Sequence, residues 1–314
     1  VEPISPLRPR RIVAALVGAV TAALAFAGPA GAQLGRANPS DAGPDAGITV
    51  TQDVVYRTVD GERLALDAFV PAAGPKHRPA IVMVHGGGWQ GGDKAHFAPE
   101  GRRLAQLGYA AFSINYRLAP ANPFPAAVDD VQAAVRWLRA PAQVKAYGLD
   151  PKRFGAVGGS AGGHLVSMLA TLGDGSLTKG ARIKAAVSWS GVYDFSAFDA
   201  VPLRLFGVGG LVLGFLGCQP GEVDCRTVER EASPVSHVDA TDAPMLLAHS
   251  LLEFVPINQA TRMDDALKRS GVTQQLVAFP GTRHANAYST DIWPQTVAFF
   301  EQHVGKPPTT TGTS

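Results

Sequence analysis

The sequence predicts an α/β fold: a mainly parallel central sheet flanked by helices, with an antiparallel hairpin at its start. Three observations lead there. Short continuous apolar runs alternate with stretches that carry apolar residues at helical spacing. The Asp60-Gly61 pair sits between two strand-like segments. The chain has 314 residues, 46% hydrophobic and 17% charged, enough for one sizeable core and too apolar for a disordered protein. With 35 Gly and 24 Pro but only 2 Cys, it is turn-rich without being a disulfide scaffold.

The elements follow in order. ITVTQDVVYRTV and LALDAFVP flank Asp60-Gly61, a hairpin signal. AIVMVH (80–85) is apolar throughout, as a strand covered on both faces requires. A helical stretch near 98–107, a strand at 110–116 and a helix at 125–140 come next. A strand at 154–159 runs through a Gly-rich turn into a helix at 161–172. Strands at 183–190 and 244–250, a helix at 257–270, a strand at 275–280 and a helix at 296–304 complete the alternation. Residues 195–236 break the rhythm. This insertion contains LFGVGGLVLGFLG and reads either as a lid or wall of an apolar pocket or as a plain surface excursion.

The N-terminus reads as an export signal. Arg8, Arg10 and Arg11 precede an apolar run from Ile12 to Phe26, and Ala30-Gly31-Ala32 offers a cleavage pattern before Gln33. The alternative is a retained N-terminal anchor. Cleavage after residue 32 removes three Arg and one Glu, leaving 25 residues of each sign. The basic balance thus belongs to the signal and gives no support for a nucleic-acid surface. The expected organisation is a signal peptide over 1–32, a flexible lead-in over 33–47, a catalytic domain over 48–305 and a disordered tail over 306–314. The expected location is secreted or periplasmic, with no stable membrane span after cleavage. In that setting Cys218 and Cys225 are expected to pair.

Chemistry concentrates in a few motifs. Gly158-Gly159-Ser160-Ala161-Gly162 matches G-x-S-x-G between a strand and a helix, a turn that projects a serine hydroxyl above the sheet edge. His85-Gly86-Gly87-Gly88-Trp89 follows the strand at 80–84, and its glycines allow backbone N–H groups to approach a ligand oxygen. Gly87, Gly88 and Ala161 are therefore candidate oxyanion donors. Gly86, Gly88 and Gly91 also spell a dinucleotide fingerprint, but Ser113 to Arg117 contains no carboxylate where that fold needs one. His284, just after the last strand, is the candidate base. His164 lies only four residues past the elbow and reads as helix packing. The third member is expected between Ser160 and His284 at the C-terminal end of a strand. Glu253 fits, Asp194 is its rival, and Asp242 precedes its strand and so falls at the wrong edge.

Together, HGGGW, G-x-S-x-G and the downstream histidine resemble the α/β-hydrolase superfamily. YRLAPANPFPAAVDD (116–130) resembles hormone-sensitive-lipase-like esterases, whereas HGGGWQGGDK and GGSAGGHL resemble bacterial feruloyl-esterase-type domains. The resemblance covers about residues 48–305. It implies a serine carboxylesterase in which Ser160, Glu253 and His284 form the triad, with Gly87, Gly88 and Ala161 as oxyanion donors and no cofactor. Two departures stand out. Gly159 occupies a position where the lipase-like branch usually has Asp. HSLLEFVP (249–256) has Glu for the usual Asp and one residue fewer than the H-G-x-x-D-x-x-V-P pattern. Arg117, Asp129 and Asp130 read as ion-pairing and capping residues. The expected substrates are small-molecule or polysaccharide-linked esters with short acyl or aryl groups. A peptidase of the same fold and an inactive binding module are the alternatives, and oligomeric state is not legible.

Overall fold

The computed structural model describes residues 45–198 and 208–308. The signal-peptide expectation over 1–32, the lead-in up to 44, the tail over 309–314 and part of the insertion lie outside the described residues. Among the described residues, eight strands form one sheet in the order β1-β2-β4-β3-β5-β6-β7-β8. β1 (Ile48–Val59) and β2 (Glu62–Pro71) pair antiparallel. Asp60 and Gly61 both take positive φ, 50° and 85°, which gives the two-residue turn whose twist matches a hairpin. β2 also runs antiparallel to β4 (Ala110–Ile114). From there on β4, β3 (Arg78–Val84), β5 (Leu149–Gly159), β6 (Ala185–Trp189), β7 (Met245–Ser250) and β8 (Gln274–Phe279) are all parallel.

The unbroken apolar runs follow from this geometry. Successive strand side chains point to opposite faces, and both faces here are covered. Val82 and Val84 join one core layer with Phe112, Phe154 and Ala156, which includes Val131, Val135 and Leu138 of α2 (Ala126–Arg139) and Leu165 and Met168 of α4 (Ala161–Thr171). Ile81 and Met83 join the other, with Leu104 of α1 (Ala98–Gln106) and Ile292, Phe299 and Phe300 of α8 (Ser289–His303).

Two elements differ from expectation. α3 (Pro141–Tyr147) was not anticipated: it buries no residue, so it leaves no apolar stripe to read. Pro141 opens it and Gly148, at φ 63°, closes it. α8 begins at Ser289 rather than near 296, with Pro294 inside it. Burial of Ile292 and Trp293 holds that first part of the helix onto the sheet and overrides the local cost of proline. α7 (Ile257–Arg269) agrees with the predicted helix within a residue.

The insertion contains α5 (Val208–Leu216) and α6 (Arg226–Ala232), and Cys218 and Cys225 form a disulfide with a Cα–Cα distance of 5.5 Å. Asp130, fully buried, accepts from Arg117 N and Nε at 3.0 and 2.8 Å and pairs with Arg57 at 2.5 Å, while Asp129 is exposed. Arg117 and Asp130 are thus ion-pairing residues, and with Arg57 they tie the β4–α2 loop to β1. No helix among the described residues is long and apolar enough to cross a membrane.

Candidate active site

Parallel strands place their outgoing loops at one edge, where α/β sheets bind ligands. Five such loops converge here, those after β3, β5, β6, β7 and β8. They carry the HGGGW segment, Ser160, Ser190, Glu253 and His284 respectively.

Ser160 joins β5 directly to α4. Its backbone sits at φ 57°, ψ −120°, a strained conformation for a residue with a side chain. Its N–H donates to Trp189 O at 2.7 Å and its carbonyl accepts from His164 N at 2.9 Å. The flanking glycines are dictated by contact. A Cβ on Gly158 would stand 2.3 Å from Gly162 O, and one on Gly162 would stand 2.0 Å from Val84 O. Ala161 is the first residue of α4, so its N–H has no intrahelical partner and lies at the positive end of the helix dipole.

The HGGGW segment folds over this elbow. Gly87 O accepts from both Gln90 N and Gly91 N at 3.1 Å, curling the loop. Trp89 is buried and stacks on Phe215 of α5, ring centroids 4.5 Å apart, which ties the segment to the insertion. Trp89 Nε1 donates to His164 Nδ1 at 3.1 Å, so His164 carries its proton on Nε2, which meets Ala232 O at 2.8 Å. His164 is therefore a structural strut, as its position in the helix implied. Burial lowers its pKa to about 4, and that of buried His85 likewise to about 4.

These two histidines have a stability consequence. Below pH 6.5 the unfolded chain takes up protons that the folded state refuses, so stability is lost as pH falls from 6.5 towards 4. The expected loss is of order 2–3 kcal/mol for each histidine. Chemical denaturation at pH 7 and pH 4.5 checks this: His164→Gln is expected to flatten the pH slope, and an unchanged slope contradicts the assignment.

His284 is held from behind. Its Nδ1 bonds Glu253 Oε2, while its Nε2 is buried with no hydrogen-bond partner among the described residues. The Phe254 ring covers the imidazole with centroids 4.1 Å apart. Glu253 Oε1 accepts from Ser190 Oγ and Ser250 N, each at 2.8 Å, and lies 3.3 Å from His249 Nε2. Asp194 is turned elsewhere. Its Oδ1 accepts from Ser196 N and Oγ, and its Oδ2 pairs with Arg262 at 3.0 Å.

Ser160, His284, Gly87 and Gly88 line one cavity of about 580 Å³. Trp89, Val192, Leu211, Phe254 and Val255 make much of its wall apolar, and His96 and Asn286 add polar groups. Leu211 of α5 lies so close that a Cβ on Gly88 would stand 2.7 Å from its Cδ1. Through Leu211 the insertion thus contributes to the cavity wall. The sequence did not single out Ser190, Tyr288, Ser250 or Leu211. The one available signal was position, since Ser190 ends the segment read as the strand 183–190.

A hydroxyl on a strained elbow, an imidazole backed by a carboxylate and a loop of backbone donors in one cavity are the groups that acyl transfer uses. The fold is that of the α/β hydrolases. The BD-FAE family model matches residues 66–267, more than half of the chain, and the chain belongs to that family. Among curated proteins it is 36% identical over 220 residues to the protein named probable carboxylic ester hydrolase LipM of Mycobacterium tuberculosis, covering 66% of this chain and 49% of LipM. The chain spans about half the length of the curated relatives it matches. Among solved structures, the native esterase Est2 of Thermogutta terrifontis superposes with a TM-score of 0.66 at 28% identity, covering 85% of this chain and 95% of Est2. Its butyrate-bound form gives 0.65 at 28% identity, covering 84% and 97%.

Proposed function

We propose that the protein is a serine carboxylesterase acting on short-chain acyl or aryl esters. The observation that carries this reading is the His284–Glu253 bond at the cavity that Ser160 lines. Ser160 Oγ attacks the ester carbonyl as His284 Nε2 takes its proton, and Glu253 stabilises the imidazolium. The carbonyl oxygen becomes an oxyanion received by the N–H groups of Gly87, Gly88 and Ala161. Collapse of this intermediate expels the alcohol, which leaves with the proton from His284. Water then attacks the acyl-enzyme with His284 as base, the acid is released and Ser160 regains its proton.

The relatives' ester-hydrolase names and the butyrate-bound neighbour support the reaction class and a short acyl group. The bonds that Asp194 makes to Ser196 and Arg262 favour Glu253 as the acid. The disulfide is compatible with an oxidising, exported setting, which fits the signal-like N-terminus.

A p-nitrophenyl ester series from acetyl to decanoyl tests the reading. The highest kcat/KM is expected at acetyl to butyryl esters. Leu211→Ala, which recesses the cavity wall, is expected to move that optimum by about two carbons and to raise kcat/KM for the longer ester several-fold, in keeping with ~0.8 kcal/mol per buried methylene. An unchanged profile in the variant removes Leu211 from the acyl site. Folded wild type that hydrolyses none of these esters contradicts the proposed function.

A further inference from the structure

Behind the acid and the base lies a buried polar cluster that the reaction above does not use. Ser190 is fully buried at the end of β6, held at φ 52° with its N–H donating to Ala248 O at 2.8 Å. Its hydroxyl sits between two loops. It donates to Glu253 Oε1 at 2.8 Å and accepts from the N–H of Ala285, the residue that follows His284, also at 2.8 Å. Tyr288, equally buried, places its hydroxyl 2.6 Å from Ser190 Oγ and 2.8 Å from Ala248 O.

With Oε2 on His284, the two carboxylate oxygens of Glu253 are thus held from opposite sides. Among the described residues, Ser190 bonds both the acid and the segment carrying the base. Its positive φ is a strained position that surrounding contacts must maintain. A hydroxyl donor to a carboxylate is a strong, charge-assisted bond, well suited to fixing a long, flexible Glu in a loop one residue shorter than the common pattern.

We propose that Ser190 is a positioning residue for the proposed triad: through one hydroxyl it sets Glu253 and the His284 loop in register, with Tyr288 fixing its rotamer. This rests on the esterase reading above. Ser190 does not line the cavity, so its effect falls on turnover rather than on substrate binding. Displacing reacting groups by about an ångström costs on the order of 100-fold, which sets the scale of the effect.

The test is a double-mutant cycle on the full chain with p-nitrophenyl butyrate. Ser190→Ala is expected to lower kcat at least tenfold with KM unchanged within about twofold. In a Glu253→Gln background the same change is expected to cost less than about threefold, because the charge it positions is gone. Ser190→Gly, which suits the positive φ and also lacks the hydroxyl, is expected to reproduce both results and serves where the alanine variant does not fold. Equal losses in the two backgrounds, or no loss in either, overturn the proposal and assign Ser190 to structure alone. Wild type and Ser160→Ala run beside these variants. If wild type is active, Ser160→Ala is not and Ser190 shows no coupling, only this inference fails. If folded wild type is inactive, the esterase reading fails and this inference falls with it.

Discussion

Replacing Ser160 by Ala is expected to lower kcat/KM for p-nitrophenyl butyrate by about 10,000-fold or more, roughly 5.5 kcal/mol of lost transition-state stabilisation. The reason is local. The change removes the one oxygen that would form the acyl bond and leaves the elbow intact. The bonds from Ser160 N to Trp189 O and from His164 N to Ser160 O are made by backbone, and alanine keeps them. The backbone at φ 57° is as strained for Ala as for Ser, so the melting temperature is expected to stay within a few degrees. A variant that keeps more than a tenth of wild-type activity would remove Ser160 from the chemistry.

The second large effect is expected at Glu253. Glu253→Gln preserves shape but removes the charge that, in the proposed reaction, stabilises the His284 imidazolium, and it would allow the wrong imidazole tautomer. The expected loss in kcat is about 1,000- to 10,000-fold, the scale seen when a triad carboxylate becomes an amide. Asp194→Asn is the informative partner. Asp194 is itself buried and bonds Ser196 and a half-exposed Arg262, so Asp194→Asn is expected to cost roughly 1–3 kcal/mol of stability but to change kcat less than threefold. Steady-state kinetics on both variants with matched melting curves checks the pair. The reverse order of effects would make Asp194 the acid.

How much of this was legible beforehand depends on whether a residue's role is set locally. Val82 and Val84 face one core and Ile81 and Met83 the other. A strand so placed has no polar face, and its unbroken apolar run betrays it. α3 is the converse case: with no buried residue it has no periodicity to detect. The early start of α8 was hidden by Pro294, a local breaker outweighed by tertiary burial of Ile292 and Trp293.

The same distinction holds in the site. Ser160 is legible because the elbow needs small residues at fixed offsets around it. The placement of Glu253 and His284 at one sheet edge is legible because each follows a predicted strand. Ser190 and Tyr288 gave no such signal. Their hydroxyls acquire meaning only when residues 63 and 98 positions apart in sequence meet across three loops. Leu211 was legible only as part of an apolar insertion, since its contact with Gly88 depends on how α5 docks.

The central claim is that Ser160 is an activated nucleophile, and covalent labelling tests it most directly. The folded wild-type chain is treated with a fluorophosphonate and its intact mass and modified peptide are determined. The account predicts one adduct per chain, located on Ser160, absent from Ser160→Ala and strongly slowed in Glu253→Gln. A folded wild type that takes up no label, or an adduct on another residue that persists in Ser160→Ala, would contradict it.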